Sequence, residues 1–224
     1  MADKYLSIIT NFGCHYKCPE CVVRNNGLQM SKTKENSCID GLARAAIQAD
    51  ANWVSVSGGG DPLFNWQKHQ IWWRDFFMVC RYCGLKAELH TSYFNGAING
   101  MMVLFPFCRF DRVVYHVHTI VDLKYVHRFG HEIVRVVFVV SDNMTENDVE
   151  KIADFVEWSN EIDELSFRQR IDSDYVTTYH LHDFLQAGHK KRWWYITQND
   201  YNTYYHNGKL FSKYTDIFDK EKEI

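Results

Sequence analysis

A chain of 224 residues, 46% hydrophobic and 24% charged, has the composition of a globular protein, which excludes intrinsic disorder. A net charge of −3 excludes a generally basic nucleic-acid coat. No apolar run approaches the ~18 residues of a membrane span and the N-terminus lacks a signal-peptide layout, so a cytoplasmic protein with no membrane partner is expected.

The apolar pattern alternates between strand and helix periods. Residues 5–10 read as a first strand, followed by a loop over 11–34. Residues 36–49 place Ile39, Leu42, Ala43, Ala46 and Ile47 on one helical face. A second strand, 53–57, runs into Gly58-Gly59-Gly60-Asp61-Pro62. An aromatic-rich helix is predicted over 66–82, with Gly84 as its C-cap. Further strands are expected at 85–90 and 113–118, then a short helix at 122–129. The apolar run 133–140 reads as a strand buried on both faces. A helix over 146–159 follows, with Thr145 as N-cap, and then a sixth strand at 163–168.

Six strands, most followed by helical segments, predict an α/β fold with a parallel sheet wound as βα units. Right-handed crossovers would curl it into a partial (β/α)6 barrel. Residues 1–173 form that barrel in this reading. Residues 174–224 form an extension packed on it as an aromatic lid, with a hairpin at Asn207-Gly208.

Seven cysteines stand at 14, 18, 21, 38, 80, 83 and 108. An odd number without a signal peptide argues against a secreted disulfide framework and for a reducing compartment, where clustered thiols serve metal or redox chemistry. Cys14, Cys18 and Cys21 lie within eight residues directly after the first strand, a compact run of the kind that holds iron–sulfur clusters. Zinc is the alternative. Cys18, Cys21, Cys80 and Cys83 are two C-x-x-C pairs, and one tetrahedral site built from them would give a zinc-stabilised nucleic-acid-binding module. Their separation far exceeds the usual ~15–20 residues. Cys38, Cys80, Cys83 and Cys108 show no compact ligand run and are expected to pack.

The spacing Cys-x3-Cys-x2-Cys after the first strand of a βα-repeat chain resembles the radical S-adenosylmethionine (radical SAM) superfamily, and the resemblance covers residues 5–170. It implies an enzyme in which Cys14, Cys18 and Cys21 bind a [4Fe–4S] cluster whose open iron takes S-adenosylmethionine. One-electron reduction by a flavodoxin or ferredoxin would then generate a 5′-deoxyadenosyl radical that abstracts a hydrogen atom from substrate. Ser57-Gly58-Gly59-Gly60-Asp61-Pro62 resembles the family's Gly-Gly-Glu-Pro element, which assigns Gly59, Gly60 and Asp61 to the methionine end of the cofactor. Glycine backbone there can approach a ligand closely, and a carboxylate can face its ammonium. This chain carries Glu20 where the family usually has an aromatic residue, and Asp61 in place of the commoner Glu.

Later strand ends would complete the cofactor pocket. Ser92 stands in a Thr-Ser-Tyr-Phe-Asn-Gly segment similar to the family's Thr-Asn-Gly element. Ser141 and Asn143 resemble its ribose contacts, and Arg168 would clamp the methionine carboxylate. His116 and His118 share one strand face; with that face inward they line the substrate cavity. The run 189–195 mixes cations with Trp193, Trp194 and Tyr195, which suits a nucleotide. Together with the short chain, similar in size to the 7-carboxy-7-deazaguanine synthases, this favours a nucleobase or nucleotide substrate. A radical activase of a partner protein and a peptide-modifying enzyme remain alternatives. A homodimer is compatible with the aromatic helix.

Overall fold

Alternation of apolar and polar side chains sets both the strands and the faces they present. The computed structural model describes residues 3–34, 41–93, 109–130, 132–172, 175–197 and 203–218. Cys38, Cys108, Phe94-Asn95-Gly96 and the expected boundary at Ser173 lie outside the described residues. The chain divides into two compact units, the first made of Met1–Lys17, Asn26–His90 and Asp200–Ile224, the second of Cys18–Asn25 and Thr91–Asn199. No helix of the described residues is long and apolar enough to cross a membrane.

In the first unit β1 (Tyr5–Thr10), β2 (Trp53–Gly58) and β3 (Lys86–Thr91) run parallel. The C-terminal strands β8 (Thr203–His206) and β9 (Lys209–Phe211) continue the sheet in the order β3-β2-β1-β8-β9. Strand β8 is parallel to β1, and β9 returns antiparallel. Their turn places Asn207 at φ 47° and Gly208 at φ 87°, the two left-handed residues of a tight hairpin. The expected hairpin therefore forms, but as added strands on β1 rather than as a lid.

Leu6, Ile8, Val54, Val56, Ala87 and Leu89 are buried on one face of this sheet. The opposite face carries Ser7, Ser55 and Glu88, aligned in register and all buried. Helix α2 (Leu42–Gln48) packs beside α3 (Gln70–Cys83). A 3-10 turn at Trp66–His69 leads into α3. Its Trp72, Trp73, Phe76, Phe77 and Cys80 are buried, and Gly84 ends it at φ 65° as a left-handed C-cap.

The second unit holds β4 (Arg112–Val117), β5 (Ile133–Val140), β6 (Glu164–Gln169) and β7 (Trp194–Ile196), all parallel, in the order β7-β6-β5-β4. Its helices are α1 (Val22–Asn25), α4 (Glu146–Glu157) and α5 (His182–Gly188). The short helix expected near 122–129 is a 3-10 turn at Ile120–Tyr125. Strand β5 is buried or half-buried at every position, so both of its faces are covered as expected, with Val137 buried on the same face as its one charge. Val134, Val136, Phe138 and Val140 are buried on one, while Arg135 on the other meets Glu164 at 2.6 Å. Arg112 reaches the same carboxylate at 3.3 Å. Both units are thus mixed α/β with largely parallel strands, one apolar face and one face that mixes polar and apolar side chains.

Candidate metal centre

Within the first unit, the ends of β1 and β2 meet in register at Thr10 and Gly58. Gly59 N–H donates to the Thr10 carbonyl and Asp61 N–H to the Gly13 carbonyl, each at 2.9 Å. This second bond ties the glycine element to the residue before Cys14. The approach is too close for a side chain, because a Cβ on Gly60 would stand 2.1 Å from the Gly13 oxygen. Gly13 itself sits at φ +119° with Phe64 against the space a Cβ would occupy. The Cys14 thiol is exposed, and its Sγ accepts the Tyr16 N–H at 3.4 Å.

Asp61 is buried. Its Oδ1 accepts the Leu63 N–H at 2.9 Å, closing the turn, while Oδ2 lies 3.9 Å from His15 Nε2. Burial holds the His15 imidazole below its ordinary range, and the Asp61 carboxylate pulls it back up. The His15 ring also meets Tyr16 edge-on and tilts against Phe64.

Within the second unit, Cys21 N–H donates to the Cys18 carbonyl at 3.2 Å, opening the single turn of α1. Cys21 Sγ accepts Arg24 N–H at 3.4 Å, and the Arg24 guanidinium returns to the Cys18 carbonyl. Asn25 bonds the Pro19 carbonyl at 2.5 Å. Cys18 Sγ stands 3.4 Å from Nε2 of His118. On the other side of that ring, Nδ1 is 3.8 Å from Glu20. The His118 backbone N–H donates to Asp122 at 3.2 Å, which anchors the histidine at the start of the 3-10 turn. His118, expected in a substrate cavity, thus faces a candidate cluster ligand. His116 is half-buried on β4, opposite Val137 of β5.

The remaining expected contacts stand at strand ends of the second unit. Ser92 and Ser141 are half-buried and Asn143 is exposed. Arg168 is half-buried on β6, level with Val139 and Ile196. A pair outside the sequence reading is Arg170 with Asp142, at 3.2 Å. Glu88 and His90 of the first unit, bonded at 2.8 Å, were also missed. Their signal is the alternation Glu88-Leu89-His90, which puts both on one face.

The basic aromatic run is largely structural. Trp193 and Tyr195 are buried, and Trp193 Nε1–H donates to the Leu185 carbonyl at 2.9 Å. Arg192 is held by Glu150, Asp154 and Glu157 of α4. Only Trp194 of the three aromatics is exposed, with Lys190 over its ring at 5.4 Å. The adjacent groove of about 390 Å³ is lined by Lys190, Lys191 and Trp194. It lies at the N-terminal ends of β6 and β7, whereas His118 follows the C-terminal end of β4.

Among the described residues, no three His, Cys, Asp or Glu side chains stand close enough together to hold a metal ion. The donor set nonetheless fits an iron–sulfur cluster by its chemistry. Three thiols within eight residues supply soft ligands, and Cys14 and Cys21 already accept backbone N–H groups on their sulfurs. Cys80, by contrast, is buried among the aromatics of α3. No protein-family model matches the chain and no curated protein matches it.

Proposed function

We propose that this chain is a radical SAM enzyme, with Cys14, Cys18 and Cys21 as the protein ligands of a [4Fe–4S] cluster. The observation that carries the reading is the bond from Asp61 N–H to the Gly13 carbonyl. It joins the glycine–aspartate element after β2 to the base of the cysteine run after β1. Two sequence elements that bear on one cofactor thereby share one place in the fold. Their position beyond the C-terminal ends of parallel strands is where α/β proteins bind ligands.

When bound, the cluster supplies one electron to the sulfonium of S-adenosylmethionine, whose cleavage gives methionine and a 5′-deoxyadenosyl radical that takes a hydrogen atom from substrate. The chain's own residues bind and orient. Gly59 and Gly60 present bare backbone. Asp61 uses Oδ1 to hold its turn and offers Oδ2 to the methionine ammonium, with His15 beside it. Ser92, Ser141, Asn143 and Arg168 serve the ribose and carboxylate ends. Strands β1–β6 form a partial (β/α)6 barrel in this reading, which the parallel pairing within each unit supports. The substrate is a small molecule, with a nucleobase or nucleotide favoured by the length of the chain. The electron comes from a flavodoxin or ferredoxin in a reducing cytoplasm.

Anaerobic reconstitution with iron and sulfide tests the proposal. The expected product is a brown protein holding about four iron atoms that releases 5′-deoxyadenosine from S-adenosylmethionine under dithionite. One tightly bound zinc ion without cleavage would sink the reading in favour of a zinc-stabilised module.

A further inference from the structure

Helix α3 buries one face and leaves the other bare. Trp72, Trp73, Phe76, Phe77 and Cys80 turn inward, while Ile71, Met78 and Tyr82 are 58%, 63% and 91% exposed. At about 100° per residue the three exposed apolar side chains fall within about 40° of one another, in a single line along the helix. Asp75 lies on one flank of that line, and Arg74 and Arg81 lie on the other. Ile47 of the neighbouring α2 is 77% exposed as well. Four large apolar side chains open to water on one pair of packed helices mark an interaction surface.

The charge order identifies the partner. We propose that this face is a homodimer interface in which α3 pairs with α3 of a second copy, the two helices running in the same direction about a two-fold axis. A two-fold contact places the same patch on both partners. When the helices run in the same direction, the acidic flank of each meets the basic flank of the other. Asp75 then faces the partner's arginines on both sides of the apolar line. Antiparallel pairing instead sets like flanks together, acid against acid and base against base. Flanking charges of this kind choose partner and orientation in helix pairs. In the single chain Arg74 folds onto Asp75 at 2.7 Å. That pair is solvent-exposed, so exchanging it for a partner's charge loses little.

The test is sedimentation equilibrium and light scattering on the full chain, with circular dichroism to confirm that each variant is folded. The wild type is expected to be a dimer, and Met78→Glu is expected to raise its dissociation constant by about 100-fold or more. Asp75→Arg alone, and the Arg74→Asp/Arg81→Asp double variant alone, are each expected to be monomeric. Mixed in equal amounts, these two folded variants are expected to form a heterodimer, because each then supplies the charge that the other lacks. A wild type that stays monomeric at about 100 µM overturns the proposal. So does a Met78→Glu chain that remains dimeric, or a mixture of the charge variants that fails to associate.

Discussion

A methyl group on Gly60 would stand 2.1 Å from the backbone oxygen of Gly13, whereas one on Gly59 would meet only the end of the Met30 side chain at 2.7 Å. A backbone carbonyl pinned by the Asp61 N–H cannot step aside, but a methionine tip can choose another rotamer. Gly60→Ala is therefore expected to cost about 3 kcal/mol, or roughly 6–12 °C in Tm for a chain of this size. Gly59→Ala is expected to cost less than about 1 kcal/mol. Thermal unfolding of the two variants side by side checks the contrast, and equal losses would refute it. Cys18 and His118 offer a second residue-scale test. Hydrogen bonds to cluster sulfurs stabilise the more negative reduced state and raise its potential. If His118 bonds Cys18 at 3.4 Å in the loaded protein, His118→Phe leaves the iron content unchanged and moves the cluster to a more negative potential in a redox titration. Loss of all iron would instead make His118 essential for assembly. Cys18→Ala is expected to abolish both iron binding and visible absorbance. The cysteine run and the glycine element stand out in the sequence because the residues of each are close together in the chain. The partnership of Cys18 with His118 was not, because its members stand 100 residues apart.

Helix α4 shows how an element's start is written in a few residues. Thr145 Oγ1 accepts the Asp148 N–H at 3.2 Å, and Asp148 accepts the Thr145 N–H at 2.9 Å, a reciprocal capping box. Thr145→Ala is expected to cost about 1 kcal/mol, a fall of roughly 2–4 °C in Tm. The hydrogen bonds from the Thr145 hydroxyl and N–H hold the Asp148 carboxyl below its ordinary range. Its folded pKa is depressed, so the cap's contribution is fully present above the unfolded value near ~3.9. It is lost as pH falls through the lower folded value. The gap between wild type and Thr145→Ala should accordingly narrow in acid; a constant gap from neutral pH to about pH 2 would contradict this cap. Thr145 and Gly84 were readable because caps obey local rules. The cover on both faces of β5 was readable from its apolar run, but the partner of its one charge was not: Arg135 is matched by Glu164, 29 residues later. Strand β7 went unseen because three residues carry too little periodicity to register.

At the scale of the whole chain, the C-terminal residues are structural members of the first sheet. Strand β8 lies parallel to β1, pairing Leu6 with Thr203 and Ile8 with Tyr205, and His206 Nδ1 meets the Ile9 carbonyl at 2.7 Å, 197 residues away. Tyr205 is buried and leaves no room for a Cβ at Gly41, at the start of α2. Ile9, Tyr204 and Ile217 form one apolar cluster on the other face, with Phe211 and Tyr214 against it. An N-terminal strand that waits for the far end of its own chain folds late, since parallel pairing over a long separation defers its reward until the loop entropy is met. A chain ended at residue 202 would expose the β1 edge and the apolar surface that Tyr204 and Tyr205 cover. Such an edge is a template for intermolecular pairing. That truncation is expected to enter the insoluble fraction or to remain without a cooperative thermal transition. A chain ended at residue 218, which keeps β8, β9 and the Tyr214–Ile217 turn, is expected to match the full chain. Pelleting assays and thermal unfolding of the two truncations decide the matter. A soluble, cooperatively folded 1–202 chain would show that β1 is held by β2 alone and that β8 and β9 are ornament.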